Sequence, residues 1–82
     1  MSFFAGCDQP LQSAAPGISR TILARGGRLM TVRVAFAAGV SSPPHEHPHE
    51  QVSYIVSGRF EWNLGDEARV LGPGDSVYVP SG

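Results

Sequence analysis

The sequence predicts a small all-β protein, an antiparallel sandwich or barrel. Short runs of β-branched and aromatic residues are separated by glycine and proline turn signals about every eight to twelve residues, and no helical pattern exceeds one turn. The chain has 82 residues, of which 41% are hydrophobic. A single domain of this size buries only about 60–65% of its unfolded surface, so its core is small.

The first half of the chain contains an irregular segment followed by one clear strand. Residues 1–17 carry two prolines and two glycines without a clear period, so we expect an N-terminal arm or a loosely packed edge, with order from residue 18 onward. The segment RLMTVRVAF then alternates, which predicts a strand with one strongly apolar face. That face is formed by Met30, Val32, Val34 and Phe36.

A loop and further strand signals occupy the second half. The segment AAGVSSPP ends the first strand and forms a loop, because its two prolines lack N–H donors. Hairpin turns are expected at Ser57-Gly58 and at Gly65-Asp66, between β-rich runs. The segment GPGD predicts another turn, capped by Asp75, and SVYVP predicts one more strand. We assign three alternating side chains to the core: Phe60, Trp62 and Leu64.

The net charge disfavours two classes of partner, and the cysteine content indicates a compartment. Six arginines against seven acidic residues give a net charge of −1, which creates no long-range field for nucleic acid or an anionic membrane. The one cysteine, Cys7, excludes an intrachain disulfide and fits a reducing compartment. No apolar run approaches the ~20 residues of a membrane span. We therefore expect a cytoplasmic protein without nucleic-acid or membrane partners.

All three histidines lie in one short segment, HEHPHEQ, residues 45–51. Side chains two apart share a face of an extended segment, so His45, His47, His49 and Gln51 would point to one side. Imidazole is the commonest metal-binding side chain, and this arrangement suits a metal. The alternative is a solvated His/Glu loop that titrates near pH 6.5 and binds nothing, since His-x-His alone is a weak pattern.

Two segments resemble the paired motifs of the cupin superfamily. GVSSPPHEHPHEQVSYIVSGRFEW resembles the first motif, with Gly39, five residues, His45-x-His47, a ligand position at Gln51 and a strand ending at Gly58. GDSVYVPSG resembles the start of the second motif, Gly74, five residues and Pro80-x-Gly82. The resemblance implies a cupin domain over residues 18–82, folded as a double-stranded β-helix, or jelly-roll barrel. It also implies a divalent transition metal (nickel, zinc, manganese or iron) bound by His45, His47 and Gln51.

The third ligand place departs from the family pattern. Cupins usually have glutamate where this chain has Gln51. A neutral amide leaves the metal charge uncompensated, so we expect weaker metal binding, stronger attraction for an anionic ligand, and a poor fit to a ferrous oxygenase. Glu50 could replace the missing carboxylate only if the strand register slipped. His49 is either a third imidazole ligand or a solvated side chain.

The second motif is incomplete. In cupins a fourth ligand, a histidine, lies three positions beyond the glycine that is Gly82 here, and the sequence stops at that glycine. We therefore expect a fold that is incomplete at the C-terminus, either because the chain is part of a longer protein or because a partner completes it. Catalytic residues of the family lie mostly beyond this point, and none is carried over. Exposed strand edges and a small core favour a homodimer.

Residues 18–82 also resemble the cupins of pectin and alginate breakdown, through LARGGRLMTVRVAFAAGVSSPPHEHPHEQVSYIVSGRFEW and ARVLGPGDSVYVP. Those proteins convert 4,5-unsaturated monouronates to linear keto sugars. The resemblance implies Lewis-acid catalysis on a small acidic sugar or other small carboxylate, with Arg33 or Arg59 as candidates to pair with the carboxylate. Two alternatives stay open: a non-catalytic cupin that binds or senses a small acid, and a metal-free structural barrel.

Overall fold

The computed structural model describes residues 1–42 and 48–82 and confirms the all-β class. Within these ranges the chain has a one-turn 3-10 helix, Gly6–Asp8, and seven strands in three antiparallel sheets. The strands are β1 Gln12–Ala15, β2 Ile18–Gly26, β3 Leu29–Phe36, β4 Gln51–Tyr54, β5 Phe60–Leu64, β6 Glu67–Leu71 and β7 Ser76–Val79. No helix in the described ranges has the length and apolar character needed to cross a bilayer.

The chain divides into two units, and the first, Met1–Pro43, holds the three-stranded sheet β1-β2-β3. β1 lies within residues 1–17 and pairs with β2 as an edge strand, with Gln12 opposite Arg20. The turn between them uses Gly17 at φ 76°, and its carbonyl accepts a hydrogen bond from Ala37 N–H. The division into an arm, 1–17, and a cupin domain, 18–82, stays a prediction.

The predicted strand over RLMTVRVAF is confirmed as β3, but its apolar face is only partly covered. Val32 and Phe36 are half-buried and pair with Ile22 and Ile18 of β2. Val34 is 46% exposed and Met30 is 50% exposed, and the register of β2 also shifts between Ile22 and Ala24. A bulge of this kind re-aims the side chains beyond it, so the alternation in β3 does not meet a continuous partner face.

The second unit, Pro44–Gly82, holds two two-stranded sheets, β4-β7 and β5-β6. The hairpin predicted at Gly65-Asp66 is confirmed, with Leu64 opposite Glu67 and a positive φ of 58° at Gly65. A two-residue loop with glycine in its first position matches the twist of antiparallel strands. The GPGD turn is also confirmed, since the Asp75 carboxylate accepts a 2.8 Å hydrogen bond from the Gly72 N–H.

The hairpin predicted at Ser57-Gly58 is wrong in its pairing. Gly58 does adopt a positive φ of 84°, but β4 pairs with β7 and β5 pairs with β6. Ile55 explains the difference, because its N–H donates to the Asp75 carbonyl and its carbonyl accepts from the Gly74 N–H, both at 2.9 Å. These bonds continue the β4-β7 ladder to the GPGD turn. Local turn chemistry places a bend but does not choose the partner strand.

Candidate functional site

Gln51 begins β4 and lies on the half-buried face of the β4-β7 sheet. Directly paired residues share a face, and Gln51 is opposite Val79 while Ser53 is opposite Val77. All four side chains are half-buried, whereas the four on the other face are exposed. Gln51 therefore lies in a strand, as predicted, and its side chain is on the more protected face of the sheet.

The Gln51 amide is held by a neighbour on the same face. Its Nε2 donates a 2.8 Å hydrogen bond to Ser53 Oγ, and both groups are partly buried. The carbonyl oxygen, Oε1, is the end of an amide that can coordinate a cation, because its nitrogen carries donors only. The hydrogen bond to Ser53 uses the nitrogen end and leaves the oxygen for a cation.

The two histidines of the predicted ligand set, His45 and His47, lie outside the described residues. The set of His45, His47 and Gln51 therefore stays a prediction. His49 is described: it lies in a bend before β4 and is exposed, so the predicted alternation does not extend from Gln51 back to His49. Across residues 1–42 and 48–82 no three His, Cys, Asp or Glu side chains come together as a metal-binding group.

Glu50 is engaged on the opposite face from Gln51. Its carboxylate accepts a 2.5 Å hydrogen bond from the hydroxyl of Tyr78, which pairs with Val52 on the exposed face of β4-β7. The hydrogen bond to Glu50 raises the pKa of Tyr78 above 10.0, with smaller contributions from desolvation and from the negative charge of Glu50. In this register Glu50 does not replace Gln51 at the predicted metal position.

A cavity of about 160 Å³ lies between the β5-β6 sheet and the start of β7. Half-buried apolar side chains of one face of β5-β6 form much of its wall, and Val77 adds a side chain from the Gln51 face of β4-β7. Two charged residues, Glu67 and Arg69, also line it. The full lining is Trp62, Leu64, Glu67, Arg69, Leu71, Ser76 and Val77.

Arg69 is the cationic residue of this cavity, and it was not among the arginines singled out from the sequence. Arg33 is exposed on β3 in the first unit, and Arg59 is exposed between β4 and β5; neither lines the cavity. Arg69 is opposite Trp62 in the β5-β6 hairpin. The signal for it was present in the sequence, because a two-residue turn at Gly65-Asp66 fixes which residues of the two strands are opposite.

Comparison with known proteins identifies relatives over most of the chain. The family described as "Cupin domain" matches residues 32–82. A pectin degradation protein, KdgF of Dickeya dadantii, is 36% identical over 78 residues, 94% of this chain and 71% of the relative. A dimethylsulfoniopropionate lyase, DddQ of Ruegeria pomeroyi, is 44% identical over 50 residues, which cover 60% of this chain and 25% of the relative.

Two solved structures resemble this one closely. KdgF from a Halomonas species has a TM-score of 0.90 at 42% identity, covering 98% of this chain and 75% of that structure. An RmlC-like cupin from Shewanella frigidimarina has a TM-score of 0.91 at 34% identity, covering 99% of this chain and 73% of that structure.

Proposed function

Because the chain belongs to the cupin domain family, we propose that it is a metal-binding cupin of pectin or alginate breakdown that converts 4,5-unsaturated uronates to linear keto sugars. The observation that carries this proposal is the half-buried Gln51 amide at the third ligand place of the motif. The matches to a pectin degradation protein of Dickeya dadantii and to KdgF of Halomonas support the same assignment.

The donor chemistry of the motif fits a divalent transition metal. His45 and His47 would supply two neutral imidazoles and Gln51 an amide oxygen, a set that accepts nickel, zinc, manganese or iron. Oε1 of Gln51 is free of the hydrogen bond that holds Nε2, which supports its role as a ligand. When bound, the metal would act as a Lewis acid that polarises a hydroxyl or carbonyl oxygen of the sugar.

Recognition of the acid is assigned to Arg69. A guanidinium binds a carboxylate through two parallel N–H···O bonds, which fixes orientation as well as supplying charge. Arg69 lines the cavity that Val77 joins to the Gln51 face, and the Trp62 indole opposite it offers an apolar wall for a sugar ring. The second curated relative is named for a lyase of dimethylsulfoniopropionate, which is also a small carboxylate.

The proposed reaction is an isomerisation that balances without a co-reactant. Ring opening breaks the bond between C1 and the ring oxygen, and the proton of the C1 hydroxyl is released as the aldehyde forms. The ring oxygen takes up a proton and becomes the hydroxyl of an enol at C5, and the enol becomes a ketone when C4 gains a proton and that hydroxyl loses one. Arg69 would orient the uronate carboxylate through this sequence, and a mostly apolar cavity would limit access of water.

The test is a direct assay of the purified protein loaded with Ni²⁺, Zn²⁺, Mn²⁺ or Fe²⁺. The conjugated double bond of 4,5-unsaturated galacturonate absorbs in the ultraviolet, and this absorbance disappears in the keto product. We expect the absorbance to disappear much faster than it does spontaneously. A variant with His45→Ala and His47→Ala should show only the spontaneous rate. A rate equal to the spontaneous rate with every metal contradicts the catalytic proposal. Saturable binding without turnover would instead support a small-acid-binding module.

A further inference from the structure

We infer that Ser53 is a positioning residue for Gln51, because its hydroxyl accepts the amide N–H that must point away from a metal held by Oε1. The inference rests on the proposed metal site and concerns how this chain uses glutamine there. It assigns a role to a side chain outside the predicted ligand set.

The geometry of β4 brings the two residues together. Gln51 and Ser53 are two apart in one strand, so their side chains stand on the same face, where the pairs with Val79 and Val77 fix their register. The Nε2 to Oγ distance is 2.8 Å, and both side chains are partly buried. Ser53 therefore restricts the Gln51 side chain in the absence of any cation.

The need for such a partner follows from the chemistry of an amide. A primary amide binds a cation only through its oxygen, which leaves two N–H donors beside the site. In a half-buried position a donor without an acceptor carries a desolvation penalty. Ser53 Oγ removes that penalty for one donor when the oxygen faces the metal. If the amide turned round, its nitrogen would face the cation and repel it.

This role is specific to glutamine. A glutamate has two oxygens and no N–H, so it needs no acceptor on the side away from the metal. The contribution of Ser53 to metal binding should therefore be large when residue 51 is glutamine and small when it is glutamate. A double-mutant cycle between positions 51 and 53 measures that difference directly.

The experiment measures Ni²⁺ affinity by competition with a chelating dye in the full chain carrying Ser53→Ala, Ser53→Thr or Gln51→Glu, and in the Gln51→Glu, Ser53→Ala double variant. We expect Ser53→Ala to weaken Ni²⁺ binding by about 10- to 100-fold, the usual range for a partner that orients a metal ligand. Ser53→Thr keeps the hydroxyl and suits a strand, so it should restore affinity to within about threefold. In the Gln51→Glu background, Ser53→Ala should lower the Ni²⁺ affinity by less than about threefold.

Two further readouts separate orientation from folding. The visible absorption spectrum of the Co²⁺-loaded protein reports the ligand field, and it should change in Ser53→Ala but not in Ser53→Thr. The thermal unfolding midpoint without metal should stay close to that of the parent in both variants. If Ser53→Ala binds Ni²⁺ as the parent does, or loses affinity equally in both backgrounds, the positioning role is overturned.

The outcome for Gln51→Ala distinguishes this inference from the proposed function. Weaker Ni²⁺ binding in Gln51→Ala with unchanged binding in Ser53→Ala overturns the positioning role alone and leaves the metal site standing. Unchanged Ni²⁺ binding in Gln51→Ala removes glutamine from the site and overturns both. Weaker binding in both single variants, with rescue by Ser53→Thr, supports both.

Discussion

The Tyr78 hydroxyl donates a 2.5 Å hydrogen bond to the Glu50 carboxylate, on the face of β4 and β7 opposite to Gln51. It links the residue just before β4 to β7, 28 positions further along the chain. The bond strengthens the strand register that turns Gln51 and Ser53 to the protected face. Glu50 is thus occupied with Tyr78 on the exposed side.

This hydrogen bond should change the pH at which the Tyr78 hydroxyl titrates. It requires the protonated hydroxyl, so it raises the pKa of Tyr78 above 10.0. An ultraviolet titration of the Tyr54→Phe variant observes Tyr78 as the single remaining tyrosine. We expect its midpoint above 10.0, and a shift back toward 10.0 when Glu50→Gln is added. A midpoint that Glu50→Gln does not move would contradict the role of Glu50.

The raised pKa of Tyr78 also determines how this residue's contribution to stability changes with pH. Because the pKa is raised in the folded state, the contribution of Tyr78 is fully present below the pKa of an unfolded tyrosine, 10.0, and is lost as pH rises through the folded value. The parent should therefore lose more unfolding free energy between neutral pH and the alkaline range than Tyr78→Phe does. Urea unfolding at both pH values makes the comparison.

Arg69 should determine binding of the acid without affecting the metal. Arg69→Ala removes a charge-assisted pair with the carboxylate, and because Arg69 is exposed and the pair is screened by solvent, we expect substrate or product affinity to fall by about 2- to 5-fold. Ni²⁺ affinity should not change, because Arg69 is not a ligand. Arg59→Ala is the matched control, since Arg59 is exposed like Arg69 but does not line the cavity. Equal losses in both variants would argue for a general charge effect.

Metal occupancy should depend on pH through the histidines. Imidazole must be neutral to coordinate, so protons compete with the metal as pH falls through about 6.5, and somewhat lower when binding is tight. Elemental analysis after dialysis across a pH series should show occupancy falling on the acid side. Full occupancy retained down to about pH 4 is incompatible with histidine ligation at these pKa values.

Gly17 should be intolerant of a side chain for two separable reasons. It has φ 76°, and a Cβ there would lie 2.7 Å from Cγ2 of Val40, a stiff β-branched side chain. Gly27 has φ 57° with no described atom within 4 Å of such a Cβ, so Gly27→Ala isolates the backbone cost, about 1–2 kcal/mol. Gly17→Ala should cost about 1–3 kcal/mol more. Urea unfolding of both variants measures the difference, and equal losses would show that Val40 moves aside freely.

Among the described residues of the second unit, Ile55 should be the apolar position most sensitive to truncation. It is 6% exposed, and truncation to alanine should lower the unfolding free energy by about 2–5 kcal/mol. Val56, the next residue, is 78% exposed, and Val56→Ala should change it by no more than about 0.5 kcal/mol. Thermal unfolding of the two variants gives the comparison, and similar midpoints would contradict the burial of Ile55.

Local sequence signals predicted the strands from β3 to β7, whereas β1 and β2 were not predicted. Alternation over RLMTVRVAF and SVYVP predicted β3 and β7, and glycine with aspartate predicted the Gly65-Asp66 and GPGD turns, because these signals act between neighbouring residues. The cupin fold predicted from the two motifs is confirmed by the family match over residues 32–82 and by the solved structures.

Relationships that depend on distant residues were not predictable in the same way. The partner of β4 is β7 rather than β5, because Ile55 forms hydrogen bonds with Gly74 and Asp75, which no local pattern encodes. The bulge in β2 similarly depends on how two strands meet. At the site, alternation predicted the face of Gln51, but its bond to Ser53 depends on side-chain rotamers that a sequence pattern does not specify.

Strand pairing fixes the position of the first residue of β4, because Gln51 pairs with Val79. Three residues, 48–50, separate Gln51 from His47 in the sequence. Inserting or deleting one of them would change the length of the segment that connects the histidines to the glutamine. Natural variants of this protein should therefore lack insertions and deletions at 48–50.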